Sequence, residues 1–246
     1  MKIKAHAKVN IFLKITGHDG SYHLLKSRFM KVKNLYDEIE IKEAEKFNIK
    51  GDINCALRDN SVFKAYIELT KEYPEIKKWF IGKEITIHKN IPEMAGLGGG
   101  SSDAAAFLKL VNDKSNLNLS TEKLAKIGNR LGSDVAFFIY GYDSANVYGR
   151  GDIVEKFDED LLNIEVFTPP VECSTPDVYR EYKEKFFNPK NTNFDKKNSL
   201  ELLNSYSPNE LNDLLKPALS LYPDLYKYMD KGFFTGSGSS FFKQIL

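Results

Sequence analysis

Cysteine is scarce in this chain: Cys55 and Cys173 are the only two among 246 residues. Two thiols so far apart form neither a disulfide framework nor a metal-ligand pattern, and their scarcity fits a reducing compartment. Net charge is also lacking, with 35 basic residues against 34 acidic ones. Without a global basic field the chain has no general attraction for nucleic acid or an anionic membrane, so any polyanion site has to be local. Long apolar runs are missing too. The run 135–140, VAFFIY, falls far short of the ~20 residues that span a bilayer. The first fifteen residues interleave lysines with apolar residues, which predicts no secretory leader. These absences predict a cytoplasmic, soluble protein with no membrane or nucleic-acid partner, as a monomer or weak homodimer.

What is present is globular in character. Hydrophobic residues make up 42% and charged residues 28%, ordinary values for a soluble fold. At ~150 residues per domain the length predicts one to two domains. Apolar residues at Ile3, Ala5, Ala7, Val9, Ile11, Leu13 and Ile15 alternate with Lys4, His6, Lys8, Asn10, Phe12 and Lys14. That period of two predicts a strand with one buried face, leaving Lys8, Asn10 and Phe12 on an open one. Gly17 to Ser21 reads as a loop that ends it. Further strands are predicted over 29–36, 38–42, 84–88, 145–148, 153–157, 164–168 and 232–234. Asn60 and Ser120 are placed to cap helices, and Ser133 a short one starting at Asp134. Helices are also predicted over 101–112, 199–204 and 208–215. The polar stretch 183–198 reads as a loop. Strands and helices mix without strict alternation, which predicts an α+β fold. The expected domains are 1–153 and 154–246.

The most informative stretch runs Pro92-Glu93-Met94-Ala95-Gly96-Leu97-Gly98-Gly99-Gly100-Ser101-Ser102-Asp103. Four glycines in five positions let the backbone take positive φ and come close to a ligand. Set between a strand and a helix, the loop aims backbone N–H groups and the positive helix end at one spot, a ready anion site. No lysine follows the last glycine, so this is not a Walker loop, and the spacing is not G-x-G-x-x-G. A flexible linker would need neither Pro92 before the glycines nor Ala104-Ala105-Ala106 behind them. Asp103 reads as either a helix-dipole partner or a metal ligand, more often the former.

The loop resembles the phosphate loop of the galactokinase, homoserine kinase, mevalonate kinase and phosphomevalonate kinase (GHMP) superfamily. Two further motifs of that family stand in order, Ala7-Lys8-Val9-Asn10 and Thr235-Gly236-Ser237-Gly238-Ser239. Tyr22-His23, Leu131-Gly132-Ser133-Asp134-Val135 and Ser174-Thr175-Pro176 resemble its members with a cytidine-diphosphate acceptor. The resemblance spans nearly the whole chain. It implies a two-lobed fold, with an N-terminal lobe like ribosomal protein S5 domain 2 that binds ATP and a ferredoxin-like C-terminal lobe that binds substrate. It also implies an ATP-dependent kinase of isoprenoid precursor synthesis that requires Mg²⁺.

By the same resemblance Lys8 and Asp134 are the catalytic pair. From spacing alone they read as a surface lysine and a helix-capping aspartate. ATP is implied to contact Pro92, Met94, Ala95, Gly96, Leu97, Gly98, Gly99, Gly100, Ser101 and Ser102, with Asn60 and Lys89 near adenine and its sugar. Asn10, Tyr22, His23, Thr175, Pro176 and Tyr179 are implied for the acceptor, the two tyrosines stacking on cytosine. The family's Asp-Gly-Tyr-His here reads Asp19-Gly20-Ser21-Tyr22-His23, one residue longer. The sequence points to no metal ligand. Rival readings are a homoserine or mevalonate kinase, which would have no base to stack, and a nucleotide sensor without turnover, which would not need both Lys8 and Asp134. A nucleic-acid-binding domain is disfavoured by the neutral charge.

Overall fold

A computed structural model describes residues 1–20 and 22–245. In chain order the elements are β1 (Lys2–Asp19), β2 (Tyr22–Glu43), β3 (Asn48–Gly51), α1 (Ser61–Glu72), α2 (Ile76–Trp79) and β4 (Lys83–His88). Helices α3 (Gly99–Lys114), α4 (Thr121–Leu131) and α5 (Val135–Tyr140) precede strands β5 (Ser144–Gly149), β6 (Ile153–Lys156) and β7 (Ile164–Phe167). The chain closes with α6 (Thr175–Glu181), α7 (Ser199–Ser205), α8 (Pro208–Leu211), α9 (Leu215–Leu221), β8 (Phe233–Phe234) and β9 (Phe241–Gln244). The mixture is α+β, as expected. No helix among the described residues is long and apolar enough to cross a membrane.

The chain forms two compact units. One comprises Met1–Ala7, Lys33–Ile91 and Gly99–Gly141; the other comprises Lys8–Val32, Pro92–Gly98 and Tyr142–Leu246. Both are built from separated stretches, because β1 and β2 are long enough to serve each of them. In the first unit β4 pairs antiparallel with the second half of β2, Ile41 opposite Ile85. It pairs parallel with β3, Ile49 opposite Ile85. Helix α1 starts where the sequence predicts, with the Asn60 side chain accepting from the N–H groups of Val62 and Phe63. Ser120 likewise caps α4. Phe80 is buried among aromatic rings, with Tyr66, Trp79 and Phe107 at centroid distances of 5.0, 5.0 and 6.0 Å.

In the second unit β5 pairs antiparallel with the first half of β2, Leu25 opposite Gly149, and β6 pairs with β5. A separate three-stranded sheet has the order β7-β9-β8. Its core joins Leu13 and Ile15 to Val178, Leu214, Leu215 and Phe234. Residues 235–240 read alone as a flexible tail. They are instead the turn between β8 and β9, closed by Thr235 N–H on Ser240 O at 3.1 Å.

Several sequence expectations give way here. Lys8, Asn10 and Phe12 are not on an open face: they are 3%, 2% and 0% exposed, like the apolar residues between them. Phe12 lies edge-on to Phe194 at 5.6 Å, and the Lys8 ammonium reaches Gly96 O at 2.9 Å, so the second face of β1 is covered as well. Strand β1 runs through Gly17 to Asp19 instead of stopping there, and the two strands expected within 29–42 are one, β2. The expected loop 183–198 holds most of a π-helical turn at Tyr182–Phe186 and a 3₁₀ turn at Phe194–Lys196. Arg28 anchors that segment, donating to the carbonyls of Asp195 and Lys197 at 3.1 and 3.2 Å.

Candidate active site

The glycine loop leaves Ile91 and enters α3 at Gly99, two residues before the start predicted from sequence. Ala95 and Leu97 are buried, while Met94 at φ 50° is exposed. The loop is thus pinned at alternate residues and leaves backbone between them accessible. Gly96 sits at φ 75°, and a Cβ there would lie 2.5 Å from the Thr235 carbonyl oxygen. No other residue fits a left-handed position so close to backbone. The β8–β9 turn is therefore seated against this loop, and Ser240 N–H reaches Ala95 O at 3.2 Å. Helix α3 runs for 16 residues, so its first turn carries a full set of unpaired N–H groups and the positive end of a long dipole.

Lys8 reaches the loop from β1. Its Nζ donates to Gly96 O at 2.9 Å and to Asn10 Oδ1 at 2.6 Å, and stands 4.7 Å from the Phe29 ring centroid. Asn10 is locked in turn: its N–H donates to Thr235 Oγ1 at 2.8 Å and its Nδ2 to Ser27 Oγ at 2.9 Å. A buried ammonium bonded to the Asn10 and Gly96 oxygens beside a glycine loop is a positive charge whose position is set before any ligand arrives. Ser27 and Thr235 are part of that setting. Ser27 carried no local signal, since it lies 17 residues from Asn10.

Asp134 occupies the turn before α5 and is half-buried. Neither it nor the exposed Ser133 caps that helix by a side-chain bond, and α5 starts at Val135 rather than Asp134. The position a Cβ would take on Gly132 is 3.7 Å from Ser101 Oγ, so the turn that carries Asp134 lies along the first turn of α3.

Lys89 is engaged in a way the sequence did not reveal, and Asn60 in the capping role read from it. The Asn60 oxygen caps α1. The Lys89 ammonium is bonded to Asp37 and, at 2.8 Å, to Asp103 Oδ2. Burial pulls the Lys89 pKa down, but Asp103 and Asp37 outweigh it and the net shift is upward. Burial pushes the Asp103 carboxyl up to about 7, with Lys89 opposing and Asp37 adding to the rise.

On α6 and the start of β2 a second group assembles. His23 and Tyr179 have ring centroids 5.1 Å apart, tilted by 43°, and Tyr182 meets His23 edge-on at 6.0 Å. His23 Nε2 and the Tyr182 hydroxyl are buried without a hydrogen-bond partner among the described residues. Burial, then the charges of Lys183 and His18, lower the His23 pKa and favour the neutral ring. Thr175 Oγ1 is 2.7 Å from Ser237 Oγ, which ties the start of α6 to the β8–β9 turn, and Pro176 lies in the first turn of α6. Tyr182 was missed from sequence; its three-residue spacing from Tyr179 on a helical run was the available signal. The Tyr22 ring lies outside the described residues.

The pattern of the GHMP kinases N terminal domain matches residues 60–142. A Methanococcus jannaschii mevalonate kinase shares the fold, with a TM-score of 0.62 at 18% identity, covering all of this chain and 90% of its own. A crystal structure of 4-(cytidine 5'-diphospho)-2C-methyl-D-erythritol kinase superposes with a TM-score of 0.79 at 29% identity, covering 99% of this chain and 90% of that one. A curated relative from Sulfurimonas denitrificans, 4-diphosphocytidyl-2-C-methyl-D-erythritol kinase, is 47% identical over 259 aligned positions, covering 99% of this chain and 97% of its own. A helix-opening glycine loop in this two-lobed fold defines the class: the GHMP enzymes, ATP-dependent kinases of small molecules. Within that class the chain belongs to the 4-diphosphocytidyl-2-C-methyl-D-erythritol kinase family.

Proposed function

We propose that this chain moves the γ-phosphoryl group of ATP onto the 2-hydroxyl of 4-diphosphocytidyl-2-C-methyl-D-erythritol, in the methylerythritol phosphate route to isoprenoid precursors. The observation that supports it most is the Lys8 ammonium fixed 2.9 Å from Gly96 O, inside a loop whose backbone leads into a long helix. Phosphoryl transfer asks for positioning and charge neutralisation more than for covalent chemistry. In this reading Pro92, Met94 and the residues from Ala95 to Ser102 hold the polyphosphate, with Asn60 and Lys89 toward adenosine. Lys8 neutralises charge that develops on the transferred group. Asp134 orients the acceptor hydroxyl and takes its proton as the new P–O bond forms and the bond to the β-phosphate breaks, releasing ADP.

Mg²⁺ would be held mainly by the phosphates, as such ions usually are, with few protein oxygens. The Ser101 hydroxyl and the Asp134 carboxylate suit it, since the first turn of α3 and the Gly132 turn adjoin. When bound it would neutralise phosphate oxygens. Residues 1–153 serve as the ATP-binding lobe and 154–246 as the substrate-binding lobe. The reaction takes place in the cytoplasm and involves no nucleic acid.

For the acceptor, the neutral His23 ring offers hydrogen bonds to the edge of cytosine while Tyr179 and Tyr22 supply stacking faces. Asn10 lies beside Lys8 near the reacting hydroxyl, and Thr175 and Pro176 shape the start of α6. Stacking a base on an aromatic ring is worth about 1–3 kcal/mol. Tyr179→Ala should therefore raise the acceptor KM about tenfold or more and leave the KM for ATP unchanged. Steady-state kinetics with each substrate varied in turn checks it, and an unchanged acceptor KM removes Tyr179 from the pocket. The overall reading is tested by ATP consumption over a panel of the cytidine-diphosphate compound, homoserine and mevalonate. Turnover with the first alone is expected, and turnover with either of the others in its place overturns the acceptor assignment.

A further inference from the structure

The cluster around Lys89 contains more charge than an ion pair needs. Asp37 is fully buried and Asp103 is 3% exposed. Two buried carboxylates share one ammonium, an arrangement with a desolvation cost that a simple stabilising pair would avoid. Their bonds have a common direction. Asp37 Oδ1 accepts the N–H groups of Asn90 and Ile91 at 2.5 and 2.8 Å, the last residues before the glycine loop. Asp37 Oδ2 accepts from the Lys89 ammonium. The same ammonium bonds Asp103 in the first turns of α3, just after the loop. At Gly99, where α3 begins, a Cβ would stand 3.4 Å from Lys89 Nζ and 3.1 Å from Ile91 Cγ2. The two ends of the loop are thus drawn together through one cation. Asp103 Oδ1 has no hydrogen-bond partner among the described residues.

We propose that Asp37 and Asp103 are positioning residues for nucleotide binding, which hold the Lys89 ammonium and thereby fix both ends of the phosphate loop. The proposal rests on the reading that this loop binds the phosphates of ATP. Loss of either carboxylate leaves the fold in place but lets the loop ends drift, so ATP affinity falls while the acceptor pocket, built on α6 and β2, is untouched. Asp103 is placed to act through Lys89 only, whereas Asp37 also holds the loop backbone directly. The Asp37 substitution therefore has the larger effect.

The test uses the purified full chain with Asp103→Ala, Asp103→Asn and Asp37→Asn. ATP and acceptor dissociation constants are measured separately by calorimetry, alongside kcat, both KM values and thermal unfolding. Asp103→Ala is expected to weaken ATP about tenfold, the loss expected for one charge-assisted hydrogen bond. Asp103→Asn, which keeps an oxygen for Lys89, restores most of it, and acceptor affinity stays within about twofold. Unchanged ATP affinity in folded Asp103→Ala and Asp37→Asn overturns the proposal, as does equal weakening of both substrates. If Asp103→Ala does not fold, Asp37→Asn decides by the same split between substrates. Failure of the wild-type protein to bind ATP would instead overturn the underlying assignment of the loop.

Discussion

Lys8→Ala and Asp134→Ala are each expected to lower kcat by about two to four orders of magnitude, the usual range for an acid–base or preorganised electrostatic group. The two losses have different physical origins. Lys8 is 3% exposed and donates to Gly96 O and Asn10 Oδ1. Its removal takes a preset positive charge from beside the phosphate loop. It also takes that donor from the part-buried Gly96 carbonyl, a cost of about 1 kcal/mol in stability. The Asn10 oxygen retains Thr235 Oγ1 at 3.3 Å, so β1 keeps its tie to the β8–β9 turn. A modest fall in Tm with an intact far-UV spectrum is therefore expected for Lys8→Ala. Asp134 makes no capping bond to α5, so Asp134→Ala should keep that helix and still lose turnover. The assay is kcat at saturating ATP and acceptor, with circular dichroism on the same samples. Activity near wild type in either folded variant removes that residue from the chemistry.

Gly96→Ala should be nearly as damaging, for a backbone reason. A methyl group at φ 75° meets the Thr235 carbonyl oxygen at 2.5 Å, with Gly238 O and N at 3.1 and 3.2 Å. The left-handed conformation alone costs an alanine roughly 1–2 kcal/mol. The contact cannot be relieved by rotating a side chain, because all three obstructing atoms are backbone. Either the phosphate loop or the β8–β9 turn has to move, and a displacement of about 1 Å in a positioning element can cost on the order of 10²-fold in rate. Gly100→Ala, which keeps that residue's backbone N–H and meets no such clash, is the comparison. A Cβ there stands 3.5 Å from Ser61 Oγ, an ordinary contact, on a residue inside α3. The expected pair is a fall in kcat/KM for ATP of about 10²-fold for Gly96→Ala and a change within severalfold for Gly100→Ala. Equal effects at the two glycines would mean that the contact with Thr235 does not govern the loop.

Features carried by neighbouring residues were legible in the sequence. The glycine loop and the Asn60 and Ser120 caps depend on contacts within a few positions, and the structure has them where expected. Features made by distant partners were not. The burial of Lys8 depends on Gly96 and Leu97, some ninety positions away, so a period of two marked its face but not what covers it. Asp37 looks like one more charged residue in a strand, yet its carboxylate closes on Lys89, Asn90 and Ile91 across more than fifty positions. The Thr235–Ser240 run has the composition of a linker. What makes it a structured turn is β9 after it, which pairs with both β7 and β8. Gly17 punctuates the sequence but not the strand, because β1 continues to Asp19.

In the proposed reaction a phosphoryl group passes intact from ATP to the acceptor hydroxyl. Phosphorus NMR of a stoichiometric mixture of protein, Mg²⁺, ATP and the cytidine-diphosphate acceptor tests it most directly. The expected spectrum loses the γ-phosphate resonance and gains one phosphomonoester resonance in equal measure with ADP, with the acceptor's diphosphate preserved. ADP accompanied by inorganic phosphate and an unchanged acceptor, or a nucleotide spectrum that does not change, would contradict it.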